Sequence, residues 1–212
     1  TLEEHKKHIQ LVFDKLREHQ LYAKNSQCDF YKKKISFLGH VISGNGIEME
    51  SDKVKAVMDW PVPKTVHEVR SFLGLAGYYR RFIANFSGIV APISDCLKGA
   101  EKKHQPIEWG EQQQKAFDGI KQAMSTEPVL VIPNPRQPFV VHTDASGFAV
   151  GAVLLQDQGK GLQPIAFMSK KMLEAETKYP VHEQELLAII CALKECRHYL
   201  LGNHVTIETD HD

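Results

Sequence analysis

Two short runs of strand-forming residues end on the same dipeptide, and a helical stretch stands just ahead of the second. Phe139-Val140-Val141-His142 leads into Thr143-Asp144-Ala145-Ser146, and His204-Val205-Thr206-Ile207-Glu208 leads into Thr209-Asp210. Strand alternation puts Phe139, Val141 and Thr143 on one face and Val140, His142 and Asp144 on the other. The same alternation groups Thr206, Glu208 and Asp210. Each Asp therefore stands at the C-terminal end of a strand, where open α/β sheets place their chemistry. Either one alone reads as the start of a turn.

The whole segment reads β-β-β-α-β. Its strands are Phe139 to Asp144, Phe148 to Gln156, Pro164 to Ser169 and His204 to Asp210. The helix runs from Val181 to Leu200, and Gly202-Asn203 stops it. Leu186, Ile189, Leu193 and Leu200 form its predicted apolar stripe, with Glu185 at the stripe's edge and Glu183 well off it. A helix packed on the sheet turns Glu185 toward the strands and Glu183 toward water. Buried carboxylates need a partner or a metal. Asp144, Glu185 and Asp210 are thus the candidate catalytic and metal-binding residues. Oxygen ligands suit Mg²⁺, with Mn²⁺ as an alternative. Two such ions roughly 3.5–4 Å apart can activate a water and stabilise the leaving oxygen of a phosphodiester. Geometry alone leaves open that some of the three are exposed or paired with Lys.

Upstream, residues 1–25 read as an amphipathic helix with Ile9, Val12, Phe13 and Leu16 on one side. The period then changes to two through Phe30, Ile35-Ser36-Phe37-Leu38 and Val41-Ile42. Ser43-Gly44-Asn45-Gly46 supplies a turn before Ile47-Glu48-Met49, giving a β-hairpin or three-stranded ribbon. Ser51 and Asp52 are candidate caps for a helix reaching Trp60. Thr65-Val66-His67-Glu68 is a capping box opening a helix to about Leu75. Gly74 and Gly77 bracket a predicted change of direction. Tyr78-Tyr79-Arg80-Arg81-Phe82 opens the next helix, and Pro92 opens another. Residues 98–106 read as a linker, a helix follows over Glu111 to Met124, and Pro128 to Pro138 is extended.

Net charge is zero, but its distribution is uneven. Residues 61–106 carry seven Lys/Arg against three Asp/Glu, and residues 107–212 carry nine against fourteen. A basic middle and an acidic end suit holding a polyanion and gathering carboxylates around cations. Aromatics interleaved with Arg, as in Tyr78 to Arg81, suit nucleic acid. The four cysteines form no C-x-x-C pair, and no apolar run is long enough for a membrane span. Both ends look cut, as in a piece of a longer polypeptide.

These motifs resemble part of the Pol polyprotein of gypsy-class LTR retrotransposons, where reverse transcriptase runs into ribonuclease H. The resemblance is carried by Phe37-Leu38-Gly39-His40-Val41-Ile42-Ser43 and by Phe72-Leu73-Gly74-Leu75-Ala76-Gly77-Tyr78-Tyr79-Arg80-Arg81-Phe82-Ile83. It extends to Thr143-Asp144-Ala145-Ser146, Pro164-Ile165-Ala166-Phe167-Met168-Ser169-Lys170-Lys171, Glu185-Leu186-Leu187-Ala188 and Thr209-Asp210-His211. It implies an α+β chain: a β-hairpin and helical thumb, then a ribonuclease H-like α/β mixed sheet. Residues 1–50 would be the end of the palm with the primer grip, 51–100 the thumb, 101–134 a tether and 135–212 the ribonuclease H-like domain.

By the same resemblance, Asp144, Glu185 and Asp210 match the first three ribonuclease H acids. Phe37, Leu38, Gly39, His40, Arg70, Tyr78, Tyr79, Arg80 and Arg81 would contact nucleic acid. The implied partners are an RNA/DNA hybrid, a primer–template duplex and the remainder of the Pol polyprotein, with no membrane. The implied setting is intracellular, in a virus-like particle for an active element. The palm's Tyr-x-Asp-Asp is absent from the 212 residues, which hold no Asp-Asp pair, and the fourth ribonuclease H acid would follow Asp212. The isolated chain is therefore expected to be inactive. A non-catalytic module binding nucleic acid or protein is the competing expectation.

Overall fold

The computed structural model describes residues 1–126 and 128–209. The first helix, α1 (Leu2–Glu18), opens on a capping box at Thr1 and buries none of its residues. It is shorter than the expected 1–25. Gln20 takes a left-handed φ of 56°, and Leu21 N–H donates to Leu16 O while Gln20 N–H donates to Arg17 O. This is a Schellman stop, normally signalled by glycine; Gln in that place hid it.

A three-stranded antiparallel ribbon follows: β1 (Lys34–Phe37), β2 (His40–Ser43) and β3 (Gly46–Met49). Then come α2 (Ser51–Met58), α3 (Val66–Tyr78), a short 3₁₀ turn over Arg80–Phe82, α4 (Phe86–Asp95) and α5 (Glu111–Thr126). Several local expectations are corrected. Glu50, not Ser51 or Asp52, is the N-cap of α2, and it gives no side-chain cap. At α3, Thr65 accepts from Glu68 N–H, but the Glu68 carboxylate takes Lys64 N–H instead of closing the box. Gly74 and Gly77 lie inside α3, and the chain turns only after Tyr78. Pro92 lies inside α4. There the burial of Phe86, Val90 and Ile93 outweighs the hydrogen bond that a proline forfeits.

Val69, Phe72 and Ala76 of α3 pack with Ile93 of α4 and with Phe117, Ile120 and Met124 of α5 in one core. The stretch expected to be a tether is therefore packed. Beyond α5, Leu130 and Ile47 exchange both backbone hydrogen bonds, at 2.7 and 2.9 Å. Gly46 is required beside them, because a Cβ there would lie 2.3 Å from Leu130 O.

The second sheet contains β4 (Phe139–Ala145), β5 (Ala149–Asp157), β6 (Leu162–Lys171) and β7 (Val205–Thr209) in the order β6-β5-β4-β7. Only β4 and β7 pair in parallel, so the sheet is mixed, as expected. Between β6 and β7 lie α6 (Val181–Glu195) and α7 (Arg197–Leu200), where one continuous helix was expected. The face of α6 also differs. Gln184, Glu185, Ala188 and Ala192 are buried, whereas Leu186 and Leu193 are 54% and 36% exposed. Small residues bring the helix close to the strands, and the larger leucines point away. The apolar periodicity marked the wrong side for Leu186 and Leu193, whereas Leu200, in α7, is buried in the sheet core as expected.

The two parts meet along β6. Ser169 O accepts from Arg80 Nη2 and from Ser87 Oγ, both at 2.9 Å, and Ser87 N–H donates to Ser169 Oγ at 2.8 Å. Lys171 pairs with Asp95 at 2.9 Å, and Phe167 packs against the helical core.

The face assignment of α6 is testable. Leu186→Ala should change stability by less than about 0.5 kcal/mol, as at exposed sites. Ala188→Leu should overpack the sheet interface at a cost of about 1–3 kcal/mol. Urea unfolding of both variants checks this, and a larger loss for Leu186→Ala would reverse the assignment.

Candidate functional site

Asp144 sits exposed near the C-terminal end of β4. The β4–β7 register pairs His142 with Glu208 and Thr143 with Thr209, so β7 runs alongside toward the same end. Asp210 lies outside the described residues. Glu185, in the first turns of α6, is only 6% exposed, and Thr209 Oγ1 donates to its Oε2 at 3.3 Å. Glu183, by contrast, is exposed. One long hydroxyl contact is poor compensation for a buried carboxylate, which offers about four acceptor sites. Next to it, Thr143 is buried and its Oγ1 has no partner. On Asp144's own face, His142 Nε2 lies 2.8 Å from Glu208 Oε2.

These donors are oxygens at one sheet end with unused acceptor capacity, which fits a hard divalent cation. Among the described residues no group of three or more His, Cys, Asp or Glu side chains forms a metal-holding cluster. The described part of the site is one buried and one exposed carboxylate.

The second candidate region is the turn between β1 and β2. Phe37 pairs with His40, and the two residues between them, Leu38 and Gly39, have φ of 48° and 74°. Positive φ at both is the mark of a type I′ turn, usually Asn-Gly. A leucine held there costs about 1–2 kcal/mol. Its side chain is 70% exposed, and that of Phe37 57%, so the turn presents an apolar tip.

Two tyrosines from the end of α3 hold this turn from behind. Tyr78 OH donates to Leu38 O, and Tyr79 OH donates to Gly39 O at 2.8 Å. Burial pushes the Tyr79 hydroxyl up to about 12, with Tyr78 and Glu50 adding to it, so it stays a donor at neutral pH. The His40 ring stacks on Tyr78 with an interplanar angle of 12° and centroids 5.2 Å apart. Burial, then the charge of Arg81, holds its pKa below the usual value. The stacked ring is therefore neutral at pH 7. The stability this contributes is complete above the unfolded value of 6.5 and is lost as pH falls through the lower folded one.

The expected nucleic-acid residues thus separate. Phe37, Leu38, Arg70, Tyr78 and Arg80 are exposed. Tyr79 is fully buried, and Gly39 and His40 are enclosed by the tyrosines. Arg80 and Arg81 are engaged by the protein. Arg80 binds Ser169 O, and Arg81 Nη2 reaches Tyr199 OH at 3.3 Å and Ile165 O at 3.4 Å. Helical spacing could not separate them because the helix ends at Tyr78. Thr209, Ser87 and Ser169 were missed; small hydroxyl residues carry no periodic signal.

A family model described as "RNase H-like domain found in reverse transcriptase" matches residues 109–207. The retrovirus-related Pol polyprotein of Drosophila melanogaster transposon 297 is 42% identical over 212 residues, which is 100% of this chain and 19% of that protein. The chain is a relative of gypsy-class Pol polyproteins. The Pol polyprotein of the Drosophila gypsy transposon is 37% identical, over 98% of this chain and 21% of its own length. The Tf2-3 polyprotein of Schizosaccharomyces pombe is also 37% identical, over 93% and 15%. The chain spans about a fifth of the length of the first two relatives.

Among solved structures, a foamy viral protease-reverse transcriptase in complex with double-stranded DNA superposes with a TM-score of 0.85. The identity is 25%, covering 100% of this chain and 37% of that one. The same viral protein in complex with RNA/DNA hybrid gives 0.84, covering 100% and 28%. The fold is therefore that of the reverse transcriptase and RNase H region, and RNase H-like domains use divalent metal ions. The family match begins at residue 109 and so takes in α5, which packs in the helical core.

The turn's attachment gives a double-mutant test. A Cβ on Gly39 would lie 2.9 Å from Tyr79 OH but 3.6 Å from the nearest atom of Tyr78. Gly39→Ala should destabilise by about 1–3 kcal/mol from backbone strain and this contact. In a Tyr79→Phe background its cost should fall, because the contacting oxygen is gone. Equal costs in the two backgrounds, measured by denaturant unfolding, would refute the contact.

Proposed function

We propose that this chain is the grip, thumb and nuclease-core portion of a retrotransposon reverse transcriptase/ribonuclease H, and that it takes part in two-metal cleavage of RNA in RNA/DNA hybrids. In this reading residues 1–50 end the palm and carry the primer grip, 51–100 form the thumb, 101–134 connect, and 135–212 form the ribonuclease H-like domain. The parent protein makes DNA on an RNA template and then degrades that RNA. Its place of work is the cytoplasmic particle of the element.

One observation carries the nuclease reading: a buried carboxylate, Glu185, faces the parallel strand ends where Asp144 stands and is tied to them through Thr209. Asp144, Glu185 and Asp210 would hold two Mg²⁺ ions, with Mn²⁺ able to substitute. Those ions would supply an activated water and stabilise the departing 3′ oxygen. Glu185 fixes one ligand on a rigid helix, and Thr209 orients it. Asp144, exposed at the sheet end, faces the side from which a phosphodiester can approach.

The duplex reading rests on one face of α3. At about 100° per residue, His67, Arg70, Gly74 and Tyr78 fall within roughly 80° of one another. All four are exposed. A Cβ on Gly74 or Gly77 would meet nothing within 4 Å, so no internal contact requires either glycine. Each costs about 1 kcal/mol in a helix interior. Close approach by a nucleic-acid backbone accounts for them, with the apolar turn at Phe37 and Leu38 at one end.

In the parent protein, Glu185→Gln and Asp144→Asn should each lower Mg²⁺-dependent hybrid cleavage by at least about 100-fold while hybrid affinity changes little. Cleavage assays with a labelled RNA strand, run beside binding titrations, read both. Undiminished cleavage by Glu185→Gln would remove the nuclease assignment.

A further inference from the structure

The segment 98–106 is more than a connector. Three backbone hydrogen bonds strap it across the first turn of α3: Val66 N–H to Gln105 O at 3.0 Å, His67 N–H to Lys103 O at 2.9 Å and Ile107 N–H to Lys64 O at 3.2 Å. Thr65 and Pro106 form a β-bridge at the same place. The strap carbonyls satisfy donors that a helix N-terminus leaves orphaned. With its backbone turned inward, the strap carries Lys102, Lys103 and His104 exposed, beside exposed Lys64 and His67.

Two further observations give this surface a direction. Lys64, Lys102 and Lys103 have no ion-pair partner among the described residues. The nearby exposed Glu68 carboxylate accepts from Lys64 N–H and keeps its charge, so Glu68 and Glu101 stand against three lysines on this surface. The His104 ring lies 5.9 Å from that of His67, and His67 begins the exposed strip of α3 that continues through Arg70 and Gly74 to Tyr78. The strip therefore runs from the pinned turn at Leu38–Gly39 to the strap. Its length is set by α3, whose 13 residues span about 20 Å.

We propose that the 102–104 strap is a second phosphate-contact site, gripping the backbone of a nucleic-acid duplex about six base pairs from the Leu38–Gly39 turn. The spacing follows from the 20 Å strip and the ~3.4 Å rise per base pair on one strand. This rests on the duplex reading of α3 and adds to it a contact that the strip alone does not make. Lysine ammonium groups held outward by a fixed backbone act as point charges on phosphates and release counterions on binding.

Fluorescence anisotropy of the 212-residue chain with an RNA/DNA hybrid and a DNA duplex, each of about 16 base pairs, tests the proposal across roughly 0.05–0.2 M salt. K102A/K103A should bind several-fold more weakly at low salt, with a log–log salt slope shallower by about 2. K102R/K103R should keep the wild-type slope. Because the strap is held by its backbone, both variants should retain the native circular dichroism spectrum. An unchanged slope in K102A/K103A, with the wild type binding normally, overturns the strap and leaves the duplex reading standing. Displacement of the duplex by poly-glutamate of equal charge as readily as by unlabelled duplex also overturns it. If the wild type binds neither duplex, the duplex reading falls, and the strap with it.

Discussion

The carbonyl of Ser169 is the point through which the two halves of the molecule are fixed. It accepts from Arg80 and from Ser87, whose own N–H is taken by the Ser169 hydroxyl. Hydrogen bonds with a charged donor are stronger than neutral ones, and a β6 carbonyl cannot move without moving the sheet. Arg80 follows Tyr79 directly, and Tyr79 holds the Gly39 carbonyl. The Leu38–Gly39 turn, the end of α3 and β6 are thus linked through consecutive residues. Under the proposed reading, a duplex on α3 would have a defined relation to β4 and β7 for that reason.

Similar economy governs the carboxylate end. The α6 face that meets the sheet is built from Ala188 and Ala192, so the helix lies close enough for Glu185 to reach the strand ends. Larger residues there would push the carboxylate outward into water and remove the desolvation that makes a cation favourable. Leu186 and Leu193, turned away, are too exposed to serve as core.

Much of this was legible in the sequence, and what was not has physical causes. Strand alternation placed Phe139, Val141 and Thr143 on one face, and that face is the buried one, because period two tolerates no one-residue error. The helical stripe failed on α6 because a helix against a sheet needs small residues, and a count of large apolar ones finds the opposite face. Glu185, not Glu183, is the carboxylate turned toward the strands, and it lies within the buried face and not at its edge. The helix stop at Gln20 and the turn at Leu38–Gly39 escaped notice because positive φ there falls on Gln and Leu, whose cost the surroundings must offset. The roles of Arg80 and Arg81 escaped because carbonyl acceptors leave no mark in a sequence.

The charge asymmetry acquires a structural meaning from the seam. A basic helical segment lies against an acidic sheet domain, yet the one ion pair across them among the described residues has the opposite polarity, with Asp95 on the helical side and Lys171 on the sheet. Neutral carbonyl and hydroxyl acceptors and apolar packing through Phe167 supply the other seam contacts. Had the two charge sets neutralised each other, the lysines and the carboxylates would both be consumed in the fold. Because they do not, the basic residues of α3 and the strap and the carboxylates of the sheet keep their charge. Screening over about 10 Å keeps the two fields distinct. Under the proposed reading, a phosphate backbone would be attracted along α3 and the strap, and metal ions at the end of β4.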